Sequence, residues 1–444
     1  MTTSLDFESP VHLKAVAAEN LPAVTPALED LYRGFEQELL IPLWTEIGDL
    51  MPLHPRSKAL PHLWRWDTLR ALAARAGELV PVGRGGERRA IALANPGLNG
   101  RPFATPTLWA AIQYLMPGEN APEHRHTQHA FRFVLEGEGV WTVVGGDPVA
   151  MRRGDFLPQA GWNWHAHHNA TRAPMAWIDG LDIPLQYITE AQFFEFGRDE
   201  ISAAEQATPE RSRSERLWGH PGLAPVAASA RPARPGSPLL AYRWEQTDRA
   251  LADQLAIEKE GFGGTVEPGH AAVRYTDPAT GQDVLPTIRV EFHRVVRGAQ
   301  TAPVRETGSS VYTVFDGSGT VTVGDKTWSV GRGDFLPQAG WNWHAHHNAT
   351  TKPMAWIDGL DIPLQYLTEA QFFEPGRDEI SDAERTTPER SRSERLWGHP
   401  GLRPLALSAA PGTPGSPLLA YRWEQTDRAL ADQLAIEKIG RAHV

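Results

Sequence analysis

The feature that most restricts the fold is a series of short extended runs, each closed by glycine, proline or aspartate, that occurs twice. Between residues 90 and 188 the chain reads RRAIALANPG, TLWAAIQYLMPG, FRFVLEGEG, VWTVVGG, GDFLPQAG and MAWIDGLD. Runs of strand length with turn residues at this spacing predict an antiparallel barrel or sandwich. A second series, TIRVEFHRVVRG, SSVYTVFDGSG, TVTVGD and TWSVGRGDF, begins near Leu285. Gly118, Gly137 and Gly139 recur as Gly298, Gly317 and Gly319 at a constant offset of 180. Two barrels of one kind are therefore expected.

A closer repeat overlies the first. Residues 153–259 recur at 332–438 with a shift of 179 and about a dozen differences, whereas the stretches upstream of Gly154 and Gly333 have diverged strongly. Divergence that stops abruptly at RGDF marks a recombined chain, through either a copied segment or two joined sequences. The final Ile439-Gly440-Arg441-Ala442-His443-Val444 replaces the Glu-Gly-Phe-Gly-Gly that follows Lys259 and reads as a non-native end.

The expected division is an N-terminal arm with helices (1–89), a first barrel (90–188), a linker with a helix (189–284), a second barrel (285–367) and a repeated linker segment (368–444). Apolar spacing at Leu28, Leu31, Tyr32, Phe35, Leu39 and Leu40 predicts helix from Ala27 to about Leu50, broken near Pro42. Further helices are predicted over 68–76 and 245–259. RSRSER at 211–216 reads as a solvated loop.

With 444 residues, 41% hydrophobic content and 16 Trp, the chain can bury sizeable cores. A formal charge of −11, with no basic run interleaved with aromatics, argues against nucleic acid or an anionic membrane as partner. The absence of cysteine excludes disulfides and thiolate metal sites, so a bound metal must use nitrogen and oxygen. No apolar run approaches 18 residues and MTTSLDFESP is not a secretory leader, so a cytoplasmic protein is expected.

Metal chemistry is suggested by Pro117-Gly118-Glu119-Asn120-Ala121-Pro122-Glu123-His124-Arg125-His126 and, further on, Trp162-Asn163-Trp164-His165-Ala166-His167-His168-Asn169. Histidines at i and i+2 on a strand point to one side, so His124 and His126 can share an ion, and His165 would supply a third nitrogen. At the offset of 180 these two positions become Val304 and Glu306, so one metal per chain follows.

This order of motifs resembles the cupin superfamily, in which a Glu seven residues before the later glycine is a fourth ligand. Here that position is Arg132. A guanidinium suits a substrate that brings its own carboxylate. A solvated rim position is the competing reading. Loss of the Glu also argues against oxalate decarboxylase-like and quercetinase-like bicupins.

PLWTEIGDLMP, HLWRW, ERRAIALANPGL, LWAAIQYLMPGE, APEHRHTQHAFRFVLEGEG, GDF, WNWHAHHN and WIDGLDIPLQ follow one another over residues 43–186. In this order they resemble the gentisate 1,2-dioxygenases, a family that includes salicylate and 1-hydroxy-2-naphthoate dioxygenases. The resemblance implies a mainly β bicupin, two jelly-roll barrels with N-terminal and linker helices. It also implies non-haem Fe(II), O₂ as co-substrate, a small aromatic carboxylate as substrate, and a homo-oligomer, often a tetramer. Three imidazoles leave one face of an octahedral Fe(II) open, a variant of the facial triad. Gentisate would give maleylpyruvate. Salicylate or 1-hydroxy-2-naphthoate cleavage and a non-catalytic cupin binding a small carboxylate are the alternatives.

By matching position, His167 would hydrogen-bond the substrate hydroxyl or act as its base, with a purely structural histidine as the competing reading. Arg88 and Arg132 would bind the substrate's anionic or oxygen groups, although Arg89 adjoins Arg88. Trp109, Ala111 and Gln113 alternate along one strand face and would line the aromatic pocket, with Ala111 leaving room beside the iron.

Overall fold

The computed structural model describes residues 23–42, 55–83, 89–199, 211–227, 230, 235–375, 392–405, 425, 428, 429, 431 and 432. Arg88, the stretch beyond Pro42 as far as His54, and the terminal IGRAHV lie outside them. The chain divides into two compact units, 1–57 and 58–444. In the first, α1 (Pro26–Gln37) starts at Thr25, whose side chain accepts the Leu28 N–H at 3.2 Å, with Pro26 in the first turn. The helix ends at Gln37, just before the break expected near Pro42, and Leu39 takes a left-handed φ of 54°; the expected continuation to Leu50 lies outside the described residues.

The larger unit is mainly β. In the first barrel, β1 (Ile91–Ala92), β2 (Trp109–Leu115), β9 (Met175–Leu181), β4 (Ala130–Glu136) and β7 (Phe156–Gln159) form one sheet in that order. Facing it are β10 (Phe194–Phe196), β3 (Asn120–His126), β8 (His165–Asn169), β5 (Glu138–Val144) and β6 (Asp147–Arg152). The second barrel repeats the plan. One sheet orders β17 (Phe335–Gln338), β14 (Ser310–Asp316), β19 (Met354–Leu360), β12 (Arg289–Val295), β11 (His270–Tyr275) and β21 (Leu402–Pro404). The other orders β16 (Lys326–Gly331), β15 (Ser318–Val323), β18 (His344–His347), β13 (Val304–Glu306) and β20 (Phe373–Pro375).

Strand alternation explains why the barrels share a core as well as filling one each. In β4, Phe131, Phe133 and Leu135 face out of the first barrel into a core shared with Phe292, Phe315 and Phe335 of the second. Val134 points inward and joins Val140, Met151 and Trp177. Val314, Val321 and Trp356 fill the second barrel in the same manner. Both faces of the contacting sheets are thus apolar, which reads in sequence as nearly continuous hydrophobic runs.

Two helices lock the barrels crosswise. Before α2 (Trp66–Leu79), Arg65 Nη1 donates to Asp334 Oδ2 at 2.7 Å and the Trp66 N–H donates to Asp334 Oδ1 at 3.0 Å. Before α5 (Trp244–Lys259), Arg243 Nη1 and the Trp244 N–H meet Asp155 at 2.6 and 3.1 Å. Each Arg-Trp pair precedes one barrel and caps the RGDF turn of the other. Among the smaller helices are α3 (Ile183–Ile188), α4 (Arg213–Trp218), α6 (Ile362–Leu367) and α7 (Arg392–Trp397).

The segment read as a solvated RSRSER loop is instead the capped start of α4. The Ser212 hydroxyl and the Glu215 carboxylate satisfy each other's backbone N–H groups, and Ser214 and Glu215 are buried. Arg243 makes this possible, pairing with Glu215 at 2.6 Å. A buried acid with its partner far along the chain cannot be told from a solvated one by local pattern.

Candidate metal centre

The site lies between the two sheets of the first barrel. From one sheet, β3 and β8 run antiparallel with His124 opposite His165, and an irregularity between Ala121 and His124 sets that register. His124, His126 and His165 are all buried, and their candidate ligand atoms lie within 4.8 Å of one another. Among the described residues no other group of His, Asp or Glu meets that geometry.

Backbone carbonyls orient the rings. Nδ1 of His124 is 2.8 Å from the Pro122 oxygen, Nδ1 of His126 is 3.1 Å from Gln128 O, and Nδ1 of His165 is 3.0 Å from Asn163 O. A ring that donates from Nδ1 presents Nε2 as its acceptor, the tautomer a metal requires. Gln159 Nε2 also stands 2.8 Å from His165 Nδ1. One ring nitrogen cannot donate to Asn163 and accept from Gln159, so the choice of metal-ready tautomer at His165 excludes the amide contact. Three buried neutral donors without a carboxylate or thiolate fit a divalent first-row ion.

The facing sheet supplies the rest. Ala111 of β2, Asp179 of β9 and Arg132 of β4 are direct cross-strand neighbours in one row. Arg132 is 1% exposed, which removes the solvated-rim reading. Its Nη1 donates to Gln159 Oε1 at 2.7 Å and its Nε is 3.4 Å from Asp179 Oδ1. Gln113, fully buried, sits opposite Trp177 on the same face as Ala111. His167 is buried with its ring centroid 6.1 Å from that of His165 and 5.3 Å from that of Trp177. Trp109 begins β2 and lines a small cavity with Phe131, Gly180, Val311 and Gly359 where the two barrels meet.

Of the residues expected at the site, the structure gathers His124, His126, His165, His167, Ala111, Gln113 and Arg132 around one interior. Arg88 lies outside the described residues. Its neighbour Arg89 is buried in an ion pair with Glu119 at 2.5 Å. Asp179, Gln159 and Phe194 were not singled out in sequence. Phe194 of β10 stacks on His124, centroids 5.4 Å apart and planes within 12°. An Asp inside MAWIDGLD was the available signal, because an acid amid a fully buried run needs a buried partner.

The second barrel has lost this chemistry. Arg132 is matched by Tyr312 and His126 by Glu306. Burial, helped by the charges of Glu291 and Asp361, pushes the Glu306 carboxyl up to about 8, and burial pushes His344 down to about 4.

The cupin domain model matches residues 111–183 and 292–362, one span in each barrel. The chain is 59% identical over 314 residues to a gentisate 1,2-dioxygenase from Streptomyces sp., covering 71% of this chain and 86% of the relative. It is 33% identical over 307 residues to gentisate 1,2-dioxygenase 1 of Aquipseudomonas alcaligenes, covering 69% and 84%. Salicylate 1,2-dioxygenase from Pseudoaminobacter salicylatoxidans, solved as an adduct with gentisate, superposes with a TM-score of 0.77 at 53% identity, covering 80% of this chain and 96% of that one. With both barrels and most of each relative's length accounted for, the chain belongs to the gentisate 1,2-dioxygenase family of ring-cleaving bicupin enzymes.

Proposed function

We propose that the chain cleaves gentisate with O₂ to maleylpyruvate, using Fe(II) held by His124, His126 and His165. The observation that carries this reading is the buried histidine trio facing a buried Arg132–Asp179 pair across the barrel. Fe(II), when bound, supplies the redox centre through which O₂ and a closed-shell aromatic ring can react. The bond between the carboxyl-bearing and the neighbouring hydroxyl-bearing carbon breaks, and both oxygen atoms stay in the product, so no other reductant is needed.

The protein's part is positioning and proton handling. Arg132 offers a rigid fork of N–H donors in a dry interior, suited to a substrate carboxylate. Asp179 and Gln159 hold that fork in place. His167, on the same face of β8 as His165, takes the proton of the ring hydroxyl in this reading. Ala111 and Gln113 shape the wall for the ring, and Arg88 is proposed to contact substrate oxygen, while Trp109, expected to line the same pocket, borders the cavity between the barrels. The likeness to salicylate 1,2-dioxygenase makes salicylate, and with it 1-hydroxy-2-naphthoate, the second reading. A cytoplasmic homo-oligomer acting in aromatic catabolism belongs to the same proposal.

The test is anaerobic Fe(II) loading followed by O₂ uptake with gentisate, salicylate and 1-hydroxy-2-naphthoate. Near one iron per chain is expected, with fastest uptake on gentisate and loss of both iron and uptake in His124→Ala. A folded, iron-loaded protein that consumes no O₂ with any of the three would instead be a carboxylate-binding cupin.

A further inference from the structure

This chain is longer than the relatives it matches, since 86% of the Streptomyces protein aligns with only 71% of it. It carries the 153–259 module a second time, at 332–438, and described residues of that second copy meet the first.

Asp432 is the copy of Asp253. Its carboxylate meets Arg211 Nη1 at 2.6 Å and His220 Nε2 at 3.2 Å, and its carbonyl lies 3.4 Å from Arg216 Nη2. The reverse contacts exist as well. His399, the copy of His220, places Nε2 3.4 Å from the Asp253 carboxylate, and Arg395, the copy of Arg216, places Nη2 3.4 Å from the Asp253 carbonyl. Around them Leu396 and Trp397 of α7 pack on Ile257 and Phe262 at the end of α5. His220, His399, Arg395 and Leu396 are all buried, so this is a packed interface. Arg395 also pairs with Glu260 at 2.8 Å, which has no mirror because Ile439 stands at the position matching Glu260.

A surface that meets its own copy through the same residues in both directions is isologous, the property of a two-fold contact. The two copies are carried on barrels that mirror each other, so these near-identical modules meet through the same residues in both directions and bury them. We propose that the face built by α4 and α5 is a homotypic docking surface, that the partner it fits is the same face of a second copy of the module, and that the repeat fills it within one chain. A module carried once per chain finds that partner only on another chain.

The test uses the full-length protein and sedimentation equilibrium, reading mass relative to the unsubstituted chain. Asp432→Arg sets two cations against each other and opens the internal contact. Arg211 is then left with Asp253 of a second chain, and the mass is expected to double. Adding Arg211→Asp to Asp432→Arg restores the internal pair and the parental mass. Adding Asp253→Arg instead removes both acids and also leaves the parental mass. A folded Asp432→Arg protein of parental mass, or doubling that survives Asp253→Arg, overturns the inference. If Asp432→Arg does not fold, the cysteine-free chain allows a second measurement with a short bis-maleimide. The paired variants His220→Cys with Asp432→Cys, and Asp253→Cys with His399→Cys, should both link within a single chain. Linking of only one pair contradicts the reciprocity.

Discussion

At the residue scale, Arg132 is the proposed anchor for a substrate carboxylate. It occupies an inward strand position where cupins more often carry a metal-binding carboxylate, and its burial against Asp179 keeps a cation in a dry interior. Arg132→Lys keeps the charge and loses the fork. KM for gentisate is expected to rise on the order of ten- to a hundredfold in steady-state O₂ uptake, since a hydrogen bond to a charged group is worth about 1.5–3 kcal/mol. Ala111 is the neighbour of Asp179 across the strands, with no exposed surface. Ala111→Val should narrow the wall and lower kcat/KM for 1-hydroxy-2-naphthoate about tenfold relative to gentisate, the scale of discrimination that a methyl or two can supply. His124 and His126 were legible because residues at alternate positions of a strand share a face, and His165 and Arg132 through the resemblance to the cupin motifs, in which Arg132 stands at the place of the Glu ligand. Asp179 and Gln159 were not, because what marks them is a partner on another strand.

At the element scale, the two RGDF turns and the two Arg-Trp helix starts form the joints. Gly154 and Gly333 have φ of 87° and 83°, and a Cβ on either would come within 3 Å of the ring of Trp244 or Trp66. Gly154→Ala and Gly333→Ala are each expected to cost about 1–3 kcal/mol through left-handed strain and overpacking, read from the denaturant midpoint. Arg243 bridges Asp155 and Glu215, both buried. Arg243→Ala strands two acids and should cost about 3–5 kcal/mol by the same measurement. The linker helix was predicted at 245–259 and found at Trp244–Lys259, because its amphipathic spacing is local. The capped α4 was read as a loop, because only Arg243, distant in sequence, makes its buried Glu215 tolerable.

At the scale of the whole molecule, the barrels exchange contacts as well as helices. Thr287 donates to Asp182 at 2.7 Å, and Thr107 donates to Asp361 in the mirrored position. The degenerate second barrel leaves a pH signature. Burial of its carboxyl, with Glu291 and Asp361 nearby, holds Glu306 up to about 8 against an ordinary value of 4.5. The folded chain therefore binds more protons at this group than the unfolded chain does between those values, and its contribution to stability falls as pH rises through that window. Glu306→Gln should raise Tm relative to the parent at pH 8 and leave it little changed near pH 4.5. Strand spacing, the glycine offsets and the H-x-H pair determined two barrels and one metal-ready interior, because alternation on a strand and turn chemistry act over a few residues. Which helix caps which barrel, which acid holds Arg132, and that Asp432 meets Arg211 while His399 meets Asp253 were decided only by the tertiary structure. Those contacts join residues with no local signal, and each is stable only where packing excludes water from both partners at once.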